Sequence, residues 1–354
     1  MSIAAPHCNA KAPKPRTSEN LLFILRRLTA AFTEVAPMQP KALLIAGPTA
    51  SGKSALAIAI AARFGGVVIN VDSMQVYAEL RILTARPTAE EEARIPHCLY
   101  GIRAAKDPGS VAWWRAEALK AMDEARSQKM IPILAGGSGM YFAALTQGIA
   151  EIPDPGPEAR TEARSLLDRL GPEELHAGLV KVDPATAARL SPRDSQRIAR
   201  AWEVWRGTGL GLAAWQNRRG DPAPWDFAGI LLDPPRDTLR AAIATRFQTM
   251  VEQGAIEEVK ALLEQDLDPA LPAMRAHGVP EIAAYLRGET SLEHAARRTE
   301  LITGQYTKRQ ATWFRHHRLA DPSLTHTINA RFSSKTQFSE SLSAKILAFL
   351  QNAS

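Results

Sequence analysis

After the first 40 residues, short apolar runs alternate with longer stretches of helical periodicity. Four of these runs are rich in β-formers and predict strands at Ala42–Ala46, Val67–Val71, Ile131–Ala135 and Gly229–Leu232. The intervening segments, such as Val111–Arg126, have the periodicity of helices. Strands that are apolar on both faces and separated by helices are typical of a parallel sheet covered on both sides. The pattern therefore predicts an α/β fold.

The apolar runs stop in one part of the chain, which indicates a second structural unit. Between residues 153 and 215 the sequence consists of charged helical segments punctuated by prolines, and we expect a helical insertion there. The core is then expected in two parts, residues 41–152 and 216–320, the second of which ends in basic helices. A Ser/Thr-rich tail, residues 321–354, is expected to end in a short amphipathic helix near Leu342–Leu350.

The first 40 residues have a different composition. Pro6, Pro13 and Pro15 lie among scattered basic residues, so we expect a poorly ordered N-terminal extension. Met38 lies just before the first strand, and translation that starts there is one explanation of the extension. An organellar transit peptide is the alternative, because the segment is basic and has no acidic residue before Glu19.

The charge of the chain points to a class of partner. The formal net charge is +6 and the isoelectric point is about 9.4, which favours a polyanion such as nucleic acid, although a merely basic surface is the alternative. Only Cys8 and Cys98 are present and they form no CxxC pair, so no structural zinc site is expected. No apolar run approaches the roughly 18 residues of a membrane span. We expect a cytoplasmic protein without a membrane partner.

The sequence GPTASGKS follows the first predicted strand and precedes a predicted helix, which is the context of a P-loop. Glycines let consecutive backbone N–H groups point inward, and the start of the helix adds the positive end of its dipole. Lys53 supplies a point charge, and the Ser54 hydroxyl is a candidate Mg²⁺ ligand. The predicted diphosphate-binding residues are Gly47, Pro48, Thr49, Ala50, Ser51, Gly52, Lys53 and Ser54.

Ligands of open parallel sheets bind at the carboxyl ends of the strands. Asp72 follows the second predicted strand, and the glycine cluster 136–139 follows the third. Asp72 is open to two interpretations, a Walker-B-like carboxylate that holds Mg²⁺ through water, or a catalytic group. The glycine cluster indicates either the close approach of a ligand or a structural turn.

Five motifs together resemble one family. GPTASGKS, DSMQVY, GGSGMY, VDPATAARLSPRDSQRIARAWEV and YTKRQATWFR occur in order between Lys41 and Arg318, and they are similar to the bacterial tRNA dimethylallyltransferases, also called tRNA isopentenyltransferases. The resemblance implies a P-loop NTPase-like sheet. It also implies transfer of a dimethylallyl group from dimethylallyl diphosphate to N6 of adenosine 37, in tRNAs that read codons beginning with U. The implied partners are the anticodon stem-loop of tRNA and the diphosphate donor, and we expect a monomer.

The resemblance also assigns catalytic roles. Asp72 would be the general base that accepts a proton from adenine N6, and such a base typically contributes about 10²- to 10⁴-fold in rate. Lys53, Ser54 and Mg²⁺ would neutralise the departing diphosphate. Arg246 matches a family arginine that reaches the diphosphate, and the alternative is an ordinary arginine on a helix surface.

The family's tRNA contacts fall in several segments of this chain. The resemblance places Asp72, Ser73, Met74 and Gln75 at the adenine and Ser138 near the reaction channel. More distant contacts would come from Arg160, from Gln196, Arg197, Ile198, Ala199 and Arg200, and from Arg275, Ala276, His277, Gly278, Val279 and Pro280. The basic segment 297–318 also suits loop RNA because it carries aromatic residues. For Trp313 and Phe314, packing in the core is the alternative.

The chain departs from the family pattern at three places. It reads LRILTARPT where the family usually has GMDIGTAKP, HCLYGI where the family has HHLIDI, and it lacks aromatic and basic residues at the end of the turn 275–280. These departures concern the packing of the channel and any secondary metal contact. Two rival functions remain open, a P-loop small-molecule kinase and a nucleic-acid-binding NTPase. Both would consume ATP, whereas the transferase would not.

Overall fold

A computed structural model of the chain describes residues 39–218, 220–333 and 339–351. The N-terminal extension expected to be poorly ordered lies outside these residues, apart from its last two. The described chain divides into two compact units. One unit contains the residues up to Thr146 and from Pro224 onward, and the other spans Gln147–Ala223, a wider segment than the insertion expected at 153–215.

The first unit is built on a six-stranded sheet with the strand order β3-β2-β4-β1-β5-β6. All neighbouring strands are parallel, so the predicted α/β class and parallel sheet are confirmed. The two edge strands, β3 and β6, were not predicted. The strands are β1 Lys41–Ala46, β2 Gly66–Val71, β3 His97–Cys98, β4 Ile131–Gly136, β5 Asp226–Leu232 and β6 Thr325–Ile328.

Helices cover the faces of this sheet and make up most of the second unit. In chain order they are α1 Lys53–Phe64, α2 Ala89–Arg94, α3 Val111–Ser127, α4 Gly139–Thr146, α5 Gly156–Val182, α6 Pro184–Ala187, α7 Ser195–Thr208, α8 Leu212–Gln216, α9 Arg236–Glu252, α10 Ala255–Leu263, α11 Val279–Leu286, α12 Leu292–His316 and α13 Glu340–Gln351. Two short 3₁₀ turns lie at Ala273–Arg275 and Pro322–Leu324.

The C-terminal part of the chain belongs to the core of the first unit. Strand β6 pairs with β5, and α13 buries Leu342, Ile346 and Phe349 in the same apolar cluster as residues of β1 and α1. Burying large apolar side chains is the main favourable contribution to folding, at about 25 cal/mol per Å² of apolar surface. The described parts of the Ser/Thr-rich tail thus pack on the sheet, and the helix expected near Leu342–Leu350 is present as α13.

The second unit is helical, and in it α5, α6, α7 and α8 surround a small apolar core of its own. Leu179, Ala187 and Ala201 are buried there. Helix α5 bends where Gly171 takes a φ of +78° just before Pro172, because neither residue supports regular helix at that point. The Asp183 carboxylate ties the elements together, since it accepts hydrogen bonds from the N–H groups of Thr186 (3.2 Å) and Leu212 (3.0 Å).

None of the helices described here has the length and apolar composition needed to span a bilayer.

Candidate active site

The loop between β1 and α1 has the backbone geometry of an anion site. Ala50 and Gly52 both have positive φ, +66° and +92°, so the chain curls tightly before α1 begins at Lys53. No described side chain caps this end of α1, and its first turn contains no acidic residue. The first N–H groups of the helix therefore remain available, and the positive end of the helix dipole faces the same space.

A cavity of about 630 Å³ opens at the carboxyl edge of the sheet beside this loop. Lys53, Ser54, Asp72 and Arg246, which are the four residues predicted to be catalytic, all line it. Gln75 lines it too, and the Gln75 side chain donates hydrogen bonds to the Thr84 (2.8 Å) and Ala85 (3.0 Å) carbonyls. The structure thus brings together residues that are up to about 200 positions apart, as expected for a ligand site at the end of parallel strands.

Two cations and one carboxylate share this cavity. Burial lowers the pKa of Lys53 to about 8, while the charge of Asp72 opposes this shift and that of Arg246 adds to it. Burial also lowers the pKa of Arg246, again opposed by Asp72. Each cation has a weak backbone contact, Lys53 Nζ to the Pro48 carbonyl (3.4 Å) and Arg246 Nη2 to the Thr84 carbonyl (3.3 Å). An anion in the cavity would stabilise the charged forms of both side chains.

The lowered pKa of Lys53 gives a pH dependence to anion binding. We expect the affinity for inorganic diphosphate, taken relative to that of a Lys53→Arg variant so that the ionisation of diphosphate itself cancels, to be constant below a pH of about 8 and to fall above it by up to about tenfold per pH unit, because Lys53 then loses its proton. Equilibrium titration at several pH values measures this. A Lys53→Arg variant should have a flatter profile, since a guanidinium keeps its charge throughout this range. Identical profiles for the two proteins would contradict the role of Lys53.

Hydrogen bonds fix the position of Asp72. The Asp72 N–H donates to Asn70 Oδ1 (2.8 Å), and one Asp72 carboxylate oxygen accepts from the Met74 N–H (3.0 Å). The Ser73 N–H donates to Ser138 Oγ (3.0 Å), which joins the loop after β2 to the glycine loop after β4. Asp72 is therefore held on a short turn with one oxygen engaged by the backbone.

The glycine loop after β4 makes room for protein rather than for a ligand. A Cβ atom built on Gly136 would lie 2.0 Å from the Val71 carbonyl oxygen, one on Gly137 would lie 2.2 Å from Gln310, and one on Gly139 would lie 2.3 Å from Trp313. Close approach of neighbouring chain segments therefore explains these three glycines. This supports the structural-turn interpretation, and Ser138 is the member of the cluster whose side chain contacts the Asp72 turn.

Aromatic side chains stand around Asp72. Burial raises the pKa of Tyr306 to about 12, with the negative charge of Asp72 as the next cause, and the same two effects raise the pKa of Tyr100. Burial also raises the pKa of Tyr141, followed by the charges of Tyr77 and Asp72. The His277 ring lies edge-on to Tyr306 at 5.1 Å between ring centroids, and burial lowers the pKa of His277. Neutral rings beside a carboxylate suit a flat, uncharged ligand that presents a proton to be removed.

The turn 275–280 has two kinds of residue. Ala276, Gly278 and Val279, which lie before and at the start of α11, are buried, whereas Arg275 and Pro280 are exposed. His277 is the residue of this turn whose side chain packs beside Tyr306. The side chains of this turn that are open to a ligand are those of Arg275, His277 and Pro280, while the tRNA contacts expected from the whole turn stay a prediction.

The remaining predicted tRNA contacts lie in the second unit. Gln196 and Arg197 are exposed on α7, and Arg200 is partly exposed, but Ile198 and Ala199 are buried in the helical core, so their side chains are not available to a ligand. Arg197 and Arg200 are three residues apart and lie on one side of the helix. Arg160, on α5, pairs with Asp154.

Sequence reasoning missed a C-terminal contribution to the cavity. Arg331 lines it, and Arg331 Nε donates to the Ala50 carbonyl (3.0 Å), while the Phe332 N–H donates to the Ser51 carbonyl (3.0 Å). Gln310, within the motif YTKRQATWFR, reaches the same loop. No spacing or periodicity signals a contact between segments so far apart in sequence. Of the aromatic pair, Phe314 is buried and Trp313 packs over Gly139 and stacks on His317, so both pack against the protein.

The residues of the cavity suit a magnesium ion held mainly by substrate. No cluster of three or more His, Cys, Asp or Glu side chains that could hold a metal occurs in the part of the chain that the structure describes. Mg²⁺ at phosphate sites commonly takes one or two protein ligands and completes its shell with phosphate oxygens and water. The exposed Ser54 hydroxyl at the start of α1 fits that limited role.

The parallel sheet, the P-loop and the carboxylate across the cavity define an enzyme of the P-loop class that binds a phosphate ester. A family model described as IPP transferase matches residues 75–317. The tRNA dimethylallyltransferase of Granulibacter bethesdensis is 61% identical over 88% of this chain and 98% of that protein, and that of Gluconobacter oxydans is 58% identical over 87% and 93%. The chain therefore belongs to the IPP transferase family, the tRNA dimethylallyltransferases.

Solved structures agree with this assignment. The chain resembles the tRNA isopentenylpyrophosphate transferase of Bacillus halodurans at 31% identity and a TM-score of 0.60, over 88% of this chain and 96% of that one. It resembles a eukaryotic dimethylallyltransferase acting on tRNA at 26% identity and a TM-score of 0.75, over 89% and 80%. The family predicted from the five motifs is confirmed.

Proposed function

We propose that this chain transfers the dimethylallyl group of dimethylallyl diphosphate to N6 of adenosine 37 in the anticodon stem-loop of tRNAs that read codons beginning with U. The products are N6-isopentenyladenosine and diphosphate. The observation that carries the proposal is the cavity that Lys53 of the P-loop, Arg246 of α9 and Asp72 line together. We further propose that the enzyme acts as a monomer in the cytoplasm.

The P-loop would stabilise the leaving group. The bond from the allylic carbon to the diphosphate oxygen breaks, and negative charge accumulates on the diphosphate. Lys53, Arg246 and the free N–H groups at the start of α1 are positioned to hold that charge, and such fixed groups are most effective in a cavity shielded from water. Mg²⁺ bound near Ser54 would supply further positive charge to the same oxygens.

Asp72 would activate the nucleophile. The amino group of adenine is conjugated to the ring and attacks carbon poorly, so removal of its proton as the new N–C bond forms favours the reaction. Asp72 keeps one carboxylate oxygen hydrogen-bonded to the Met74 N–H, and its other oxygen is the candidate proton acceptor. A stacked base cannot reach such a cavity, so adenosine 37 must leave the stack, and the rings of Tyr306 and His277 are suited to receive it.

Basic residues of the second unit would bind tRNA phosphates. We expect a double variant, Arg197→Gln with Arg200→Gln, to weaken tRNA binding and to reduce the slope of log affinity against log salt by about 0.7 for each phosphate that the protein no longer neutralises. Filter binding at several salt concentrations measures this.

The control for that experiment is Arg126→Gln. Arg126 lies near the end of α3, just before β4 begins, and therefore at the sheet edge opposite the cavity. It should leave both the affinity and the slope unchanged. Equal slopes for the double variant and the control would show that the α7 arginines bind no phosphate.

The proposed reaction is tested with labelled dimethylallyl diphosphate and unmodified tRNA. The purified protein should place label in the tRNA, and a tRNA with guanosine at position 37 should remain unlabelled, because guanine has no N6 amino group. ATP should not be consumed in the same mixture. Hydrolysis of ATP without labelling would instead support the kinase or NTPase alternative.

A further inference from the structure

A buried amide on helix α12 holds the P-loop and the glycine loop together. Gln310 is 5% exposed, and its side-chain oxygen accepts hydrogen bonds from the Thr49 N–H (2.8 Å) and from the Thr49 hydroxyl (3.2 Å). Its side-chain nitrogen donates to the Gly137 carbonyl (3.0 Å). Thr49 and Gln310 are 261 residues apart in sequence, so this contact is a property of the folded chain.

The two partners of Gln310 belong to the two halves of the reaction. Thr49 lines the cavity within the predicted diphosphate loop. Gly137 precedes Ser138, whose hydroxyl accepts a hydrogen bond from the Ser73 N–H, next to Asp72. Hydrogen bonds therefore join the diphosphate loop through Gln310 to Gly137, and the covalent chain from Gly137 to Ser138 continues this connection to the turn that carries Asp72.

The packing leaves this amide little freedom. A Cβ atom on Gly137 would lie 2.2 Å from Gln310 Nε2, so only glycine allows the approach. Both polar atoms of the Gln310 amide are engaged, its oxygen by Thr49 and its nitrogen by the Gly137 carbonyl. Buried polar groups that are all satisfied make a rigid network, whereas loss of one partner leaves the others buried without a hydrogen bond.

We propose that Gln310 is a positioning residue that sets the distance and orientation between the diphosphate donor and the base Asp72, acting through Thr49 and Gly137. This rests on the proposed roles of the P-loop and Asp72. Group transfer requires the reacting atoms to approach within about 3 to 3.5 Å, and a displacement of about 1 Å can cost about 100-fold in rate. Because Gln310 bonds to both the P-loop and the glycine loop after β4, it would control the distance between the reacting atoms without contacting either substrate.

The first test compares Gln310→Leu with Gln128→Leu. Gln128 is exposed just after α3, at the sheet edge opposite the cavity, so its replacement controls for the change of residue type. With both substrates saturating, the single-turnover rate of Gln310→Leu should fall by about 10- to 100-fold. The dissociation constant for tRNA should stay within about twofold of the wild type, and Gln128→Leu should behave as the wild type. An unchanged rate, or an equal loss in both variants, would overturn the proposal.

A second variant separates positioning from general damage to the fold. Gln310→Glu retains an acceptor for Thr49, but its ionised carboxylate cannot donate to the Gly137 carbonyl oxygen and is repelled by it. When protonated, which burial favours, the carboxyl can donate to Gly137 as the amide does. The rate of Gln310→Glu relative to the wild type at the same pH should therefore rise as the pH is lowered from about 8 to about 6. A ratio independent of pH would overturn the proposal.

A double-mutant cycle tests the route through Thr49. Thr49→Val removes the hydroxyl that bonds to Gln310 and keeps the bond from the Thr49 N–H. In the Gln310→Leu background the Thr49→Val change should therefore cost no further rate, because the oxygen that accepted both bonds is already absent. Losses that multiply would overturn the route through the Thr49 hydroxyl. Labelling of tRNA by the wild type tests the reaction itself, so failure of the proposed function is distinguishable from failure of this inference.

Discussion

Replacing Asp72 by asparagine is expected to lower the rate of prenyl transfer by about 10²- to 10⁴-fold, because the amide cannot accept the N6 proton. Asparagine keeps the oxygen that accepts from the Met74 N–H, so the turn should retain its shape. Single-turnover incorporation of labelled donor into tRNA measures the loss. Comparison of Asp72→Asn with the wild type therefore measures the contribution of proton removal, while the position of the turn stays the same.

Two measurements accompany the Asp72→Asn experiment. Asp123→Asn, an exposed position on α3, is the matched control and should leave the rate unchanged. The affinity of Asp72→Asn for inorganic diphosphate should be equal to or greater than that of the wild type, since a negative charge has been removed beside Lys53 and Arg246. An Asp72→Asn protein with nearly full activity would exclude Asp72 as the base.

Replacing Gly52 by alanine is expected to damage both stability and diphosphate binding. Gly52 has a φ of +92°, where an alanine is strained by about 1 to 2 kcal/mol. Its new Cβ would also lie 1.9 Å from the Phe332 carbonyl oxygen, so one of the two segments must move, and such overpacking typically costs about 1 to 3 kcal/mol. The diphosphate affinity should fall at least about tenfold because the displaced loop no longer presents its N–H groups to the ligand. A loss of about 1.4 kcal/mol of binding free energy corresponds to that tenfold change.

Gly65→Ala separates backbone strain from the steric clash with Phe332 as causes of the loss of stability. Gly65 ends the same helix with a φ of +71°, but no atom lies within 4 Å of a Cβ built there. Its replacement should therefore cost only the backbone strain and leave diphosphate binding unchanged. Urea unfolding and diphosphate titration of the two variants measure the difference. Equal losses of stability would mean that the contact with Phe332 has no cost.

The sequence predicts the interior of the sheet better than its edges. Strands β1, β2, β4 and β5 are apolar runs because both of their faces are covered, and this signal is local. Strand β6 has the sequence THTI, and β3 consists of His97 and Cys98, so neither forms an apolar run. These two edge segments become strands only by pairing with β5 and β2, which depends on contacts across the fold.

The candidate site was predictable where a short motif determines the local backbone conformation and its place next to a strand. The P-loop and Asp72 follow strands directly, so the carboxyl edge of the sheet brings them together. Within the predicted tRNA-binding run, Ile198 and Ala199 are buried, because a continuous run on a helix always includes residues that face inward. The contacts of Gln310 and Arg331 with the loop at residues 47–54 could not be predicted, since nothing local connects either residue with that loop.

The contacts of Gln310 and Phe332 with the loop after β1 have a consequence for biosynthesis. That loop emerges from the ribosome early, but the partners of Thr49 and Ser51 are synthesised only some 260 to 280 residues later. In the nascent chain the P-loop would therefore lack these contacts, and the Thr49 N–H would not yet have its partner on Gln310. Competence to bind the donor should appear late in synthesis, when the C-terminal segment closes over residues that emerged first.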